Sequence, residues 1–89
     1  PAATRAVTYA LEYGTATIEA HLDSFHAGER IVIVDDLLAT GGTALAAAQL
    51  VRAAGATVAG FLFLVELDFL AGREKLLVEA PVFSLVRFG

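Results

Sequence analysis

Ile31-Val32-Ile33-Val34-Asp35-Asp36-Leu37-Leu38-Ala39-Thr40-Gly41-Gly42-Thr43 is the stretch that decides the fold. Four β-branched residues with no polar interruption read as a strand buried on both faces, as in a parallel sheet. Two adjacent carboxylates close the strand, and a loop with two threonines and two glycines follows. A helix then starts near Gly42-Thr43 and runs to about Ala54, because Ala47, Leu50, Val51 and Ala54 recur at i, i+3, i+4 and i+7. Gly55 suits the position just past its end. Thr57 to Val65 (TVAGFLFLV) reads as a second buried strand, which completes a βαβ unit of the right-handed kind.

Outward from that unit, Arg5 to Ala20 alternates apolar and polar residues on both sides of Tyr13-Gly14-Thr15, the pattern of a β-hairpin. Asp23 to Gly28 reads as a short helical turn closed by glycine. Glu66 to Leu77 is expected to contain a short helix with Asp68 as its cap, and Val82 to Phe88 (VFSLVRF) a final strand. Arg73-Glu74-Lys75 reads as a solvated helix face. Phe61, Phe63 and Phe69 read as core or a subunit contact, and His21 and His26 as surface residues.

Composition narrows the function. In 89 residues, 10 Asp and Glu stand against 6 Lys and Arg, a net charge of −4, with Lys75 the one lysine. A surface that tracks a phosphodiester backbone needs clustered basic residues, so nucleic acid is excluded as a partner. An apolar fraction of 57% argues against disorder. The chain has no cysteine, which removes disulfide, thiolate and zinc–cysteine chemistry and is compatible with the cytosol. From Leu37 to Val65 Arg52 alone carries a charge, long enough to raise a membrane span. Gly41-Gly42 and Arg52-Ala-Ala-Gly55 cut that run into shorter elements, so no membrane is expected.

The chemistry lies between Asp35 and Thr43. Open α/β sheets bind ligands at the carboxyl ends of their strands. Glycines let backbone N–H groups approach an anion, the helix N-terminus adds partial positive charge, and Thr40 and Thr43 can donate hydroxyls. Such a loop holds a phosphate monoester without lysine or arginine. Asp35 and Asp36 are acceptors suited to sugar hydroxyls or metal-bound water. Taken singly, Gly41-Gly42 is an ordinary turn and Thr43 an ordinary helix cap. An Asp pair at a strand end also suits a Mg²⁺-binding or phospho-accepting receiver-like α/β module. The whole combination favours a phosphosugar site, one that Thr43→Val or Gly42→Val should destroy.

VIVDDLLATGGTA resembles the phosphoribosyl-diphosphate (PRPP) signature of type I phosphoribosyltransferases, and its Leu-Leu spelling points to the adenine phosphoribosyltransferases. YALEYGTATIEAH, LVELDFLAGREKL and FSLVRF resemble the same family, so the likeness runs through nearly the whole chain. It implies an α/β fold: a Rossmann-like parallel sheet with a β-hairpin flap at the N-terminus. Residues 1–89 are then a single partial domain, with the flap at 5–20 and the core at 30–89.

The implied reaction is purine salvage: the ribose 5-phosphate of Mg-PRPP passes to N9 of adenine, giving AMP and pyrophosphate. By position, Asp35 and Asp36 would hold the ribose hydroxyls and stabilise positive charge on the ring. Ala39, Thr40, Gly41, Gly42 and Thr43 would cradle the 5′-phosphate. Glu12 matches the family's general acid/base, Tyr13 lies beside it, and Leu67 would pack on the purine. Mg²⁺ arrives with PRPP, with no direct protein ligand. The resemblance further implies a cytoplasmic homodimer and a family chain about twice as long. The other half there supplies the pyrophosphate loop, much of the purine hood and the first strands. On that expectation the 89 residues alone are inactive and leave an unpaired sheet edge and an uncovered apolar face. Another purine phosphoribosyltransferase, or a PRPP-binding regulator, shares the signature; Glu12-Tyr13 argues against a regulator.

Overall fold

A computed structural model of the protein describes residues 4–8 and 26–89. Four strands form one sheet in the order β1-β2-β3-β4, every neighbouring pair parallel: β1 (Thr4–Thr8), β2 (Arg30–Leu38), β3 (Thr57–Leu67) and β4 (Val82–Phe88). Helix α1 (Gly42–Ala53) joins β2 to β3. A 3₁₀ turn (Asp68–Leu70) and helix α2 (Gly72–Leu77) join β3 to β4. Helix α1 packs on β2 and β3, and α2 packs on α1 and β4, so both helices cover one face of the sheet. Two successive crossovers of the same hand place them there.

The core is the layer between that face and the helices. Ile31 and Ile33 of β2, Phe61 and Phe63 of β3, and Val82 of β4 meet Ala44, Ala47, Ala48 and Val51 of α1 and Leu76 of α2. The alanine-rich face of α1 lets the helix sit close to the sheet, while the two phenylalanines fill the depth, stacked with ring centroids 6.5 Å apart. Gly55, at a φ of 86°, ends the helix in the left-handed region that favours glycine. Its carbonyl accepts the Gly28 N–H at 2.9 Å, which ties the start of β2 to the start of β3.

Several expectations need revision. The strand Ile31–Val34 is buried on one face only, because Val32 and Val34 are half-buried. On that second face Leu64, Phe83 and Leu85 are 53%, 64% and 70% exposed. Thr4–Thr8 overlaps the first arm of the expected hairpin and pairs in parallel with β2, from Thr4 with Arg30 to Thr8 with Val34. The rest of the 5–20 hairpin and His21 lie outside the described residues. Helix α1 and β4 fall where the patterns put them. Strand β3 runs two residues further, to Leu67. Asp68 does not cap a helix: it opens the 3₁₀ turn, and its carboxylate accepts Arg87 Nε–H at 2.9 Å. The residue before α2 is Ala71, at a φ of 55°. Phe69 is 68% exposed rather than core.

Arg52 of α1 pairs with Glu79, with its guanidinium also donating to the Glu79 carbonyl at 3.3 Å. Arg52 is exposed, so the pair is screened and contributes little. Arg52→Ala is expected to lower the unfolding free energy by less than about 1 kcal/mol. Chemical denaturation checks this; a larger loss would mean the pair anchors the α2–β4 connection.

Candidate functional site

Strands β2 and β3 end together: Asp35 pairs with Phe63, Leu37 with Val65, and Leu38 with Glu66. A cleft of about 450 Å³ opens at this carboxyl edge, lined by Asp35 through Gly41, Thr43, Ala44 and Phe63. Of the expected ribose-phosphate residues, Asp35, Asp36, Ala39, Thr40, Gly41 and Thr43 line it, and Gly42 does not. The apolar part of the lining was not expected. Phe63 is a core residue that also lines the cleft. Leu37, Leu38 and Ala44 complete the lining.

The local geometry follows from the sequence. Asp35 Oδ1 accepts the backbone N–H of Asp36 at 2.8 Å, which fixes the first carboxylate against the chain at the strand's end. Asp36 itself is exposed. Gly41, at a φ of 85°, turns the chain from strand direction into the helix, and its carbonyl accepts the first helical N–H, from Leu45, at 2.9 Å. The N–H groups ahead of Leu45 have no intrahelical acceptor. Gly42 N–H reaches Thr40 Oγ1 only at the long distance of 3.5 Å, and the first turn of α1 holds no acidic residue. The helix therefore presents an electropositive end to the cleft that the two carboxylates also line. The helix end suits an anion, the carboxylates hydroxyls or a developing cation.

The two glycines differ in what the fold asks of them. A Cβ on Gly42 would meet only Thr40 Oγ1, at 3.8 Å, so the fold has room for an alanine there. Gly41 is the intolerant one, since its Cβ would stand 2.9 Å from the Gly72 carbonyl oxygen at a backbone conformation that side chains resist. Leu67 closes β3 at the same sheet edge but does not line the cleft. Glu12 and Tyr13 lie outside the described residues.

Next to Leu38 in the sheet, Glu66 is the buried centre of an ionic cluster that no local sequence pattern suggests. Glu66 is 2% exposed. Arg73 Nη2–H donates to its Oε1 at 2.7 Å and Nε–H to its Oε2 at 3.0 Å, while Nη1–H reaches the Val82 carbonyl at 2.8 Å. Ser84 Oγ–H donates to Glu66 Oε1 at 2.7 Å. Arg73 is thus no solvated helix residue. Its hydrogen bonds hold the Glu66 carboxyl below the ordinary value of 4.5, against the opposing push of burial. Hydrogen bonding to Asp68 raises the Arg87 guanidinium. Among the described residues no three His, Asp or Glu side chains gather as a protein-built metal centre would require.

Residues 4–85 match the Phosphoribosyl transferase domain. The chain belongs to the phosphoribosyltransferase family. An adenine phosphoribosyltransferase of Sorangium cellulosum is 63% identical, over 99% of this chain and 46% of its own length. Two solved phosphoribosyltransferases share the fold. That of Thermoanaerobacter pseudethanolicus, an adenine phosphoribosyltransferase, has a TM-score of 0.76 at 51% identity, covering 86% of this chain and 45% of that one. The adenine phosphoribosyltransferase of Saccharomyces cerevisiae, complexed with D-2,5-dideoxy-2,5-imino-altritol 1,6-bisphosphate and adenine, has a TM-score of 0.73 at 47% identity, covering 86% and 43%. The chain spans about half the length of the curated relatives it matches. The phosphoribosyltransferase assignment also sets aside the receiver-like alternative for the Asp pair. Among the described residues no helix is long and apolar enough to cross a membrane.

Proposed function

We propose that this chain carries the ribose 5-phosphate site of an adenine phosphoribosyltransferase, which converts adenine and PRPP to AMP and pyrophosphate. The observation that carries the reading is that one cleft is lined both by the Asp35-Asp36 pair and by Thr40, Gly41 and Thr43 of the turn at the head of α1. The adenine bound to the yeast relative supports the choice of base.

In this reading the N–H groups of Gly41, Gly42 and Thr43, with the Thr40 and Thr43 hydroxyls, bind the 5′-phosphate. Ala39 contributes backbone. The ribose then lies over Phe63, with Asp35 and Asp36 accepting its hydroxyls. As the bond from C1 to pyrophosphate breaks, positive charge grows on the ring, and the two adjacent carboxylates lower the barrier electrostatically. Mg²⁺ enters as part of the PRPP substrate; oxygen donors of the kind in this cleft are compatible with its chemistry. Leu67 packs on the purine. Glu12 moves the purine proton, and Tyr13 helps exclude water from the cleft; both roles rest on the match of Leu11-Glu12-Tyr13-Gly14 to the family. The same resemblance supports a cytoplasmic homodimer.

Thr43→Val keeps the shape of the side chain and removes one hydroxyl. A hydrogen bond to a charged group contributes about 1.5–3 kcal/mol. The variant, at full natural protein length, is therefore expected to raise KM for PRPP by about ten- to a hundredfold with a smaller change in kcat. Steady-state kinetics of AMP formation tests it. An unchanged KM for PRPP would remove Thr43 from the phosphate site, and no AMP formation by the unaltered protein would overturn the reading.

A further inference from the structure

We propose that the Glu66–Arg73 pair, acting through Gly72, is a positioning device that sets the shape of the Ala39–Gly41 loop. The inference rests on the phosphosugar reading of the cleft and names residues outside it.

Three contacts carry the proposal. Gly72, the first residue of α2, lies directly against the loop: a Cβ there would collide with the Ala39 carbonyl oxygen and stand 2.9 Å from the Thr40 carbonyl carbon and 3.0 Å from the Gly41 nitrogen. The closeness is mutual, since a Cβ on Gly41 would press on the Gly72 carbonyl. The loop backbone and the start of α2 thus form one interface with no side chain between them. Arg73, the next residue, fastens that start to the sheet through its fork on Glu66 and its bond to the Val82 carbonyl. Glu66 in turn pairs in register with Leu38, the residue from which the loop departs.

The loop therefore leaves β2 beside the backbone of Glu66 and rests on the start of α2, which the Glu66–Arg73 fork fastens. Leu38 fixes where it leaves β2, and Gly72 fixes how far it can sink toward α2. Tilting α2 by a fraction of an ångström moves the surface on which Ala39–Gly41 rests, and the N–H groups of Gly41 and Gly42 move with it. A single hydrophobic contact would hold the helix but not its roll. The two-pronged guanidinium–carboxylate geometry fixes orientation as well as distance. Neither Glu66 nor Arg73 lines the cleft, so they are positioning residues, not catalytic ones.

The test uses the protein at its full natural length, with Gly72→Ala and Arg73→Lys. Lysine keeps the charge and loses the fork. Affinity for AMP is read by calorimetry, KM for PRPP and for adenine by steady-state kinetics, and folding by circular dichroism. The proposal expects AMP affinity to fall, and KM for PRPP to rise, by at least about tenfold in G72A. R73K should show the same direction to a smaller extent, and KM for adenine should stay within about twofold in both. Folded variants that bind AMP as the unaltered protein does would overturn it. So would equal losses toward PRPP and adenine, or an R73K that fails to fold, since either makes the pair a general support of the fold. Failure of the unaltered protein to bind AMP would instead overturn the phosphosugar reading, a distinct result.

Discussion

Replacing both cleft carboxylates, D35N/D36N, is expected to lower kcat for AMP formation by about 10²–10³-fold while the protein remains folded. The size follows from where the charges stand. Phe63, Leu38 and Ala44 are buried and line the cleft, so a cation forming on the ribose has a partly apolar surround. Anions in such surroundings count for more than in water. Asn keeps the volume and much of the hydrogen bonding to sugar hydroxyls, so KM should change less than kcat, the pattern of an interaction realised mainly in the transition state. Asp35 is already engaged by the Asp36 N–H at 2.8 Å, whereas Asp36 is exposed at the cleft. Asp36→Asn alone is therefore expected to produce more of the loss than Asp35→Asn. Equal kcat in D35N/D36N and the unaltered protein would exclude these carboxylates from charge stabilisation.

Glu66→Ala is expected to destabilise the fold by about 1–3 kcal/mol. Glu66 is almost fully buried, and its removal strands the Arg73 guanidinium and the Ser84 hydroxyl beside the core. The loss comes mainly from unpaired partners rather than from the attraction itself, so E66M/R73L, which removes both charges, should recover much of it. Acid gives an independent check. The folded-state carboxyl titrates below its ordinary value of 4.5, chiefly through the Arg73 hydrogen bond. A depressed carboxyl contributes stability that is present above the unfolded value and is lost as pH falls through the folded one. Denaturation between about pH 6 and pH 3 should show stability declining below about 4.5, with a shallower decline in E66Q. Parallel profiles for the two proteins would contradict the role given to Glu66.

The βαβ unit was legible because each of its signals is local. An aliphatic run, a glycine pair, a helical period and a closing glycine fall in order from Ile31 to Val65, and the structure puts strand, helix and strand there. The cleft was legible for the same reason, since six of its lining residues are contiguous or nearly so. What escaped depends on partners distant in sequence. Arg73-Glu74-Lys75 has the composition of a solvated face, and nothing local shows that Arg73 turns inward to a carboxylate seven residues earlier. Gly72 carries no turn signature; its requirement comes from the Ala39–Gly41 backbone across the fold. Alternation around Thr4–Thr8 gives a strand but not its neighbour, and the neighbour is β2 in parallel. Phe61 and Phe69 look alike in sequence, yet one is buried by α1 and the other is left on the 3₁₀ turn.

The central claim is that the turn at the head of α1 holds the phosphate of a phosphosugar. Amide NMR of the full-length protein, titrated separately with AMP and with Mg²⁺ alone, tests it most directly. AMP should shift the N–H resonances of Gly41, Gly42, Thr43 and Ala44 downfield with saturation, and Mg²⁺ alone should leave them in place. Saturable shifts at Asp35 and Asp36 with Mg²⁺ alone, and none at the turn with AMP, would contradict it.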